Sequence, residues 1–122
     1  MPHLLNVWPA VSRQLQGAHR LLLLFDYDGT LTPIVAKPQD AVLSAQMRSL
    51  LVELSKNDKY VVGIVSGRGL CDLKSLVSIP GLIYAGNHGL EISGPNIEFA
   101  HSGVKLSAQA LDEVRALLAS AL

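Results

Sequence analysis

Two aspartates one residue apart, Asp26 and Asp28, close the apolar run Leu21-Leu22-Leu23-Leu24-Phe25 and lead into Gly29 and Thr30. Side chains alternate along an extended segment, so Asp26 and Asp28 point the same way and Tyr27 turns elsewhere. Two anions sharing one pocket repel and one pKa rises, which is useful only where a proton or a cation is to be held. A hard divalent cation with oxygen ligands suits the pair. Magnesium suits it best where phosphate oxygens and water complete an octahedron. Gly29 permits a sharp turn beside the site, and Thr30 brings a hydroxyl and a backbone N–H that can meet a phosphate oxygen. The same residue types also build an ordinary solvent-facing turn. The apolar run before them favours a strand instead, because ligands of open α/β sheets lie at the carboxyl ends of strands.

A second apolar, β-branched stretch, Tyr60-Val61-Val62-Gly63-Ile64-Val65, runs directly into Ser66-Gly67-Arg68. This again sets polar chemistry at a strand end. The planar Arg68 guanidinium suits a carboxylate or a phosphate, so it can orient Asp28, tie down a neighbouring loop or meet substrate. The alternative makes Ser66 the cap of a helix beginning near Gly69, with Arg68 a solvated residue of its first turn. A third segment, Leu82 to Ile92, carries Asn87 and His88 between Gly86 and Gly89. There a ligand or the acidic loop can approach closely, although an Asn-His turn can also exist for conformational reasons alone. Glu91 can answer Arg68 or a sugar hydroxyl, or sit at a strand edge.

The elements that must position these residues follow from periodicity. Residues 4–16 read as a weak first helix, with Leu4, Val7, Trp8, Val11 and Leu15 on one face and Pro9 tolerable only in the first turn. A strand follows at about 20–26, then a long turn from Thr32 to Val42 containing Pro33 and Pro38. Leu43, Met47, Leu50, Leu51 and Leu54 predict an amphipathic helix over 43–56, with Met47 in the core. The second strand, a short helix over 69–77 ended by Pro80-Gly81, and a third strand come next. That alternation implies an α/β fold of parallel strands joined by crossover helices. Residues 92–99 predict a small hairpin around Gly94-Pro95. A final helix spans 104–122, with Leu106, Ala110, Leu111, Val114, Leu117 and Leu118 on one face.

The segment Phe25-Asp26-Tyr27-Asp28-Gly29-Thr30-Leu31-Thr32-Pro33-Ile34 resembles the first motif of the haloacid dehalogenase-like phosphatases, in the form typical of trehalose-6-phosphate phosphatases. Ser66 resembles the hydroxyl of the second motif, and Gly86-Asn87-His88-Gly89-Leu90-Glu91 resembles the stretch after the third core strand of this subgroup. The resemblance implies that Asp26 is the nucleophile and becomes an aspartyl phosphate. Asp28 is implied as the acid that protonates the leaving sugar oxygen and then activates water. It further implies that Ser66 bonds the transferring phosphoryl group, with Thr30, Arg68, Asn87 and His88 near the substrate. Magnesium is implied at Asp26 and Asp28, the latter through its backbone carbonyl.

On this view residues 1–103 are the N-terminal part of a Rossmann-like phosphatase core, and 104–122 form a helix where a cap begins. The sequence stops before the cap and the second half of that core. The family's third-motif lysine and its late acidic cluster have no counterpart: Lys105 is the one lysine after Leu90, and Asp112-Glu113 falls inside the last helix. Magnesium binding is therefore expected to be weak and turnover by this chain impaired. The missing groups then come from a longer gene product or a complementing chain, and self-association is expected to hide an open sheet edge.

Composition limits the other classes. The 122 residues carry 10 basic and 10 acidic side chains, which argues against a nucleic-acid partner. Residues 21–25 are too few to cross a bilayer, and no signal peptide stands at the start. The lone Cys71 points to a reducing, cytoplasmic setting. The expected function is hydrolysis of a phosphorylated sugar, trehalose 6-phosphate first, with sucrose phosphate and mannosyl-phosphoglycerate as close alternatives. The alternative from a different class is a noncatalytic interaction or regulatory fragment that keeps the core motifs.

Overall fold

Short, β-branched apolar runs bounded by turn residues bury both faces more readily as strands than as helices, and pair side by side when helical crossovers separate them. The computed structural model describes residues 1–121, leaving aside the side chains of 105–109 and of 121. Strands β1 (Leu21–Asp26), β2 (Tyr60–Val65), β3 (Ile83–Gly86), β4 (Glu91–Gly94) and β5 (Ile97–Ala100) form one sheet in that order. β1, β2 and β3 are parallel, whereas β4 and β5 return antiparallel. The register pairs Asp26 with Val65 and Val65 with Ala85, so three strand ends lie side by side. Helices α1 (Leu4–Gly17), α2 (Ala45–Ser55), α3 (Leu70–Val77) and α4 (Ser102–Ala121) complete the chain, with single 3-10 turns at Pro38–Asp40 and Asn87–Gly89. This is a mixed α/β, open Rossmann-like sheet.

α2 starts where the Ser44 hydroxyl oxygen accepts the Met47 N–H at 3.1 Å, satisfying one of the first-turn donors that have no partner inside the helix. α3 stops at Ser78, whose left-handed backbone (φ 48°) lets its N–H close onto the Lys74 carbonyl. Both helices cover the same sheet face. Leu51 of α2 and Leu73 and Val77 of α3 are buried against Val62, Ile64 and Tyr84. Each such side chain contributes about 1.5–3 kcal/mol by leaving water. Met47 packs against this core as expected, whereas Leu50, placed on the same helical face by periodicity, is 48% exposed.

The opposite face of the sheet is open. The register sets Leu22 beside Val61 and Leu24 beside Gly63, and both leucines are more than half exposed. Ile97 and Phe99 continue that face along β5. No residue of the α1 apolar stripe is fully buried: Leu4, Trp8 and Leu15 are exposed, and Val7 and Val11 are half-buried. The predicted stripe of α4 is exposed at Ala110, Leu111, Val114, Leu117 and Leu118, while Leu106 lies outside the described side chains. Among the described residues, no helix is long and apolar enough to cross a membrane.

Candidate active site

The acidic loop is built by backbone bonds that fold the chain straight back from β1. The Tyr27 N–H donates to Val65 O at 3.2 Å, extending the ladder by one residue. Beyond it the Tyr27 carbonyl accepts the Leu31 N–H, the Thr32 N–H and the Thr32 hydroxyl, each at 3.1 Å. Gly29 makes the turn at φ 85°, and a Cβ there would stand 3.1 Å from Ile34 Cγ1. Glycine therefore serves both the left-handed backbone and the close return of the chain. Tyr27 is fully buried, whereas Asp26 and Asp28 are exposed, as alternation along an extended segment requires.

Two further loops interlock beside it. The Ser66 N–H donates to Ala85 O at 2.9 Å, His88 N–H to Ser66 O at 3.1 Å, and Asn87 N–H to Arg68 O at 2.7 Å. Asn87, His88 and Gly89 are all left-handed, with φ of 48°, 57° and 86°. That run turns the amides of Asn87 and His88 toward the Ser66–Arg68 loop. The His88 ring lies against Gly67, where a Cβ would come within 2.7 Å of its Cε1. Gly86 is tighter, since a Cβ would meet the backbone N of Leu70 at 2.5 Å.

Arg68 organises the charge. Its Nε donates to Asp28 Oδ2 at 2.8 Å and its Nη2 to Asp28 Oδ1 at 2.7 Å, a forked pair. Nη2 also donates to Pro38 O at 2.7 Å, Nη1 to Asp72 Oδ2 at 3.3 Å, and the guanidinium sits 5.5 Å from the Tyr27 ring centroid. The bonds from Arg68 hold the Asp28 carboxyl below the usual carboxylate range, outweighing the opposing effect of burial. The bond to Asp28 raises Arg68 further above its ordinary value. Burial raises the Tyr27 phenol. Asp28, Arg68, Asp72, Val35 and Pro38 line a cleft of about 430 Å³. A larger cleft of about 560 Å³, at the far end of β3, has Lys74 as its one charged lining residue.

Of the residues picked out by sequence, Asp28 and Arg68 are joined directly. Asp26 stands at the end of β1, and Thr30 is exposed while the loop's internal hydroxyl bond comes from Thr32. The Ser66 hydroxyl is buried and accepts the Arg68 N–H at 3.1 Å, whereas the residue capping α3 is Gly69. Asn87 and His88 brace the Ser66–Arg68 loop through their backbones. Glu91 does not answer Arg68: it accepts from the Asn87 side chain and, at 3.4 Å, from the Leu70 N–H at the start of α3. Asp72 and the Pro38 carbonyl were not foreseen. An acid four residues after Arg68 at a helix start was the available signal for Asp72, whereas a backbone carbonyl leaves none. Among the described residues no group of three or more His, Cys, Asp or Glu side chains is placed to hold a metal.

The family model for trehalose-phosphatase matches residues 24–122, four-fifths of the chain, and takes in all three loops. The chain belongs to the trehalose-phosphatase family. Trehalose-phosphate phosphatase B of Arabidopsis thaliana is 34% identical over 97 residues, covering 80% of this chain and 25% of the relative. A trehalose-6-phosphate phosphatase of Aspergillus fumigatus superposes with a TM-score of 0.62 at 38% identity, covering 70% of this chain and 32% of that one. The C-terminal domain of a trehalose-6-phosphate phosphatase from C. albicans gives 0.63 at 34% identity, covering 70% and 30%. The chain thus spans about a quarter of the length of the curated relatives it matches. At family level it is a haloacid dehalogenase-like, trehalose-phosphatase-type hydrolase.

Proposed function

We propose that this chain carries the nucleophile half of a magnesium-dependent sugar-phosphate phosphatase, with trehalose 6-phosphate as the substrate. The observation that carries the proposal is the meeting of two loops at the ends of adjacent parallel strands: Arg68, two residues beyond Ser66, forks onto Asp28, two residues beyond Asp26. Asp26 attacks phosphorus, the bond to the sugar oxygen breaks, and the phosphoryl group passes to the carboxylate. Asp28 gives its proton to the leaving oxygen and later takes one from the water that cleaves the aspartyl phosphate. An ionised Asp28 cannot do the first of these. An incoming phosphate that draws Arg68 toward itself weakens the fork and lets Asp28 take up a proton. The Ser66 hydroxyl and the Thr30 hydroxyl and N–H offer donors to phosphoryl oxygens, and Asn87 and His88 hold the Ser66 loop in place.

Arg68 engages both Asp28 side-chain oxygens, and the family resemblance implies the Asp26 carboxylate and the Asp28 backbone carbonyl as the protein ligands that would hold magnesium. An oxygen-only pair fits the ion but is a small set for one that dehydrates reluctantly. When bound, magnesium would offset charge on the phosphoryl oxygens. Residues 1–103 are proposed as the first part of the core and 104–122 as the entry to a cap that supplies sugar contacts. Turnover by this chain is slow on this account. A phosphate-release assay with magnesium and trehalose 6-phosphate should give slow release that Asp26→Asn abolishes. No release, or release unchanged by Asp26→Asn, contradicts catalysis by the chain and favours a noncatalytic fragment. Competing sucrose phosphate and mannosyl-phosphoglycerate decide the sugar. The exposed Leu22, Leu24, Ile97 and Phe99 face supports self-association or a complementing chain. Light scattering that finds only monomer, unaltered by Leu22→Lys, would count against the first.

A further inference from the structure

Tyr27 stands between the two acids in sequence, with its side chain turned into the core. It is completely buried. Its hydroxyl donates to Ala41 O at 2.7 Å, across the long turn that follows the acidic loop, and Ala41 is itself fully buried. The Ala41 N–H donates to Pro38 O at 3.3 Å, closing the 3-10 turn between them. The same Pro38 carbonyl accepts Arg68 Nη2, the nitrogen that also grips Asp28 Oδ1. A continuous path therefore runs from the Tyr27 hydroxyl through one turn of backbone to the guanidinium and on to Asp28. A second, shorter path exists, because the face of the Tyr27 ring lies under the guanidinium at 5.5 Å.

We propose that Tyr27 is a positioning residue that aims Arg68 at Asp28 in two separable ways, its hydroxyl fixing the Pro38–Ala41 turn whose carbonyl receives Arg68 and its ring forming the floor beneath the guanidinium. Removing only the hydroxyl leaves the floor and frees the turn. Removing the ring as well leaves Arg68 held by Asp28 and Asp72 alone. Chain geometry supports the first route. The turn from Pro33 to Ala41 is largely exposed, and among the described side chains these two hydrogen bonds, from Tyr27 and Arg68, are the ones that tie it to the active-site loops. The proposal deepens the phosphatase assignment and takes its chemical meaning from it. Its test needs no substrate, so the two fail independently.

The test is the side-chain Nε–H resonance of Arg68 in 15N-labelled full-length chain, with amide exchange at Asp40 and Ala41 read from the same samples. In the unsubstituted chain the Nε–H, bonded to Asp28, is expected to be shifted and slow to exchange. Tyr27→Phe should speed its exchange about tenfold and that of the two turn amides by a similar factor, with β1 and β2 amides unchanged. Tyr27→Leu should add a further loss at Arg68 but none at the turn. If Tyr27→Phe does not fold, Arg68→Gln gives the reciprocal reading: the Asp40 and Ala41 amides should exchange faster although Tyr27 is intact. Unchanged Arg68 exchange in Tyr27→Phe, unchanged turn amides in Arg68→Gln, or equal effects of Phe and Leu at position 27 would each overturn the proposal.

Discussion

A double-mutant cycle between Asp28 and Arg68, using Asp28→Ala, Arg68→Ala and the double variant, isolates the pair on which the site's charge balance rests. The Arg68 side chain is 12% exposed and that of Asp28 is 44% exposed, so the pair lies between a surface salt bridge and a buried one. Exposed pairs couple by about 0.2–1 kcal/mol, and breaking buried ones costs about 3–5 kcal/mol. The forked geometry favours the upper range, while solvent on the carboxylate side screens it. A coupling of about 1–2 kcal/mol is expected. In urea titrations that corresponds to a midpoint shift of roughly 1 M beyond additivity. The cycle cancels what Arg68 loses separately at Asp72, Pro38 and the Tyr27 ring. The sign with pH follows from the depressed Asp28 carboxyl. Its contribution to stability is complete above the unfolded value of 3.8 and is lost as pH falls through the lower folded value. A coupling under about 0.3 kcal/mol at neutral pH, or one that survives below the folded carboxyl value, would refute the fork as the dominant restraint on Asp28.

Two glycines that look equivalent in sequence should respond differently to alanine. Gly86→Ala drives a Cβ into the backbone of Leu70 and should cost upward of about 2 kcal/mol, whereas Gly67→Ala meets only the movable end of His88 and should cost under about 1.5 kcal/mol while shifting the His88 imidazole resonances. Equal losses by thermal or urea unfolding would contradict this. Tyr84→Phe removes a hydroxyl that donates to Ile79 O at 2.6 Å and accepts the Ile79 N–H at 3.1 Å in the core. Stranding both groups should lower stability by about 1.5–3 kcal/mol, and a loss within error in urea unfolding would contradict that bonding.

The strand ends were legible because apolar runs stop abruptly at polar loops: β1 ends at Asp26 and β2 at Val65, where Leu21–Phe25 and Tyr60–Val65 placed them. α2 and α3 fell within two residues of the limits expected from their spacing and breakers. The return of the hairpin onto β3 was not legible. Periodicity in β4 and β5 fixes strands but not the partner they join, which the left-handed turn at Asn87–Gly89 decides. The helix read over 4–16 is present as α1, yet its stripe packs little, since an apolar face shows what a helix can bury, not what it meets. Within the site, the fold gives Arg68 both the Asp28 carboxylate and, through Pro38 O, the neighbouring loop, adds Asp72, and leaves Glu91 to Asn87. Alternation points Tyr27 away from the acids, and on that side its hydroxyl reaches the turn beyond them, a contact that spacing alone does not reveal.

Under the proposed function, Asp26 receives a phosphoryl group beside Ser66 and the Asp28–Arg68 pair. Beryllofluoride, a mimic of an acyl phosphate, tests it directly by 19F NMR on this chain with saturating magnesium. Slow-exchanging bound resonances are expected, lost in Asp26→Asn and weakened in Ser66→Ala. Bound resonances that persist in Asp26→Asn, or none in the unsubstituted chain, would contradict it.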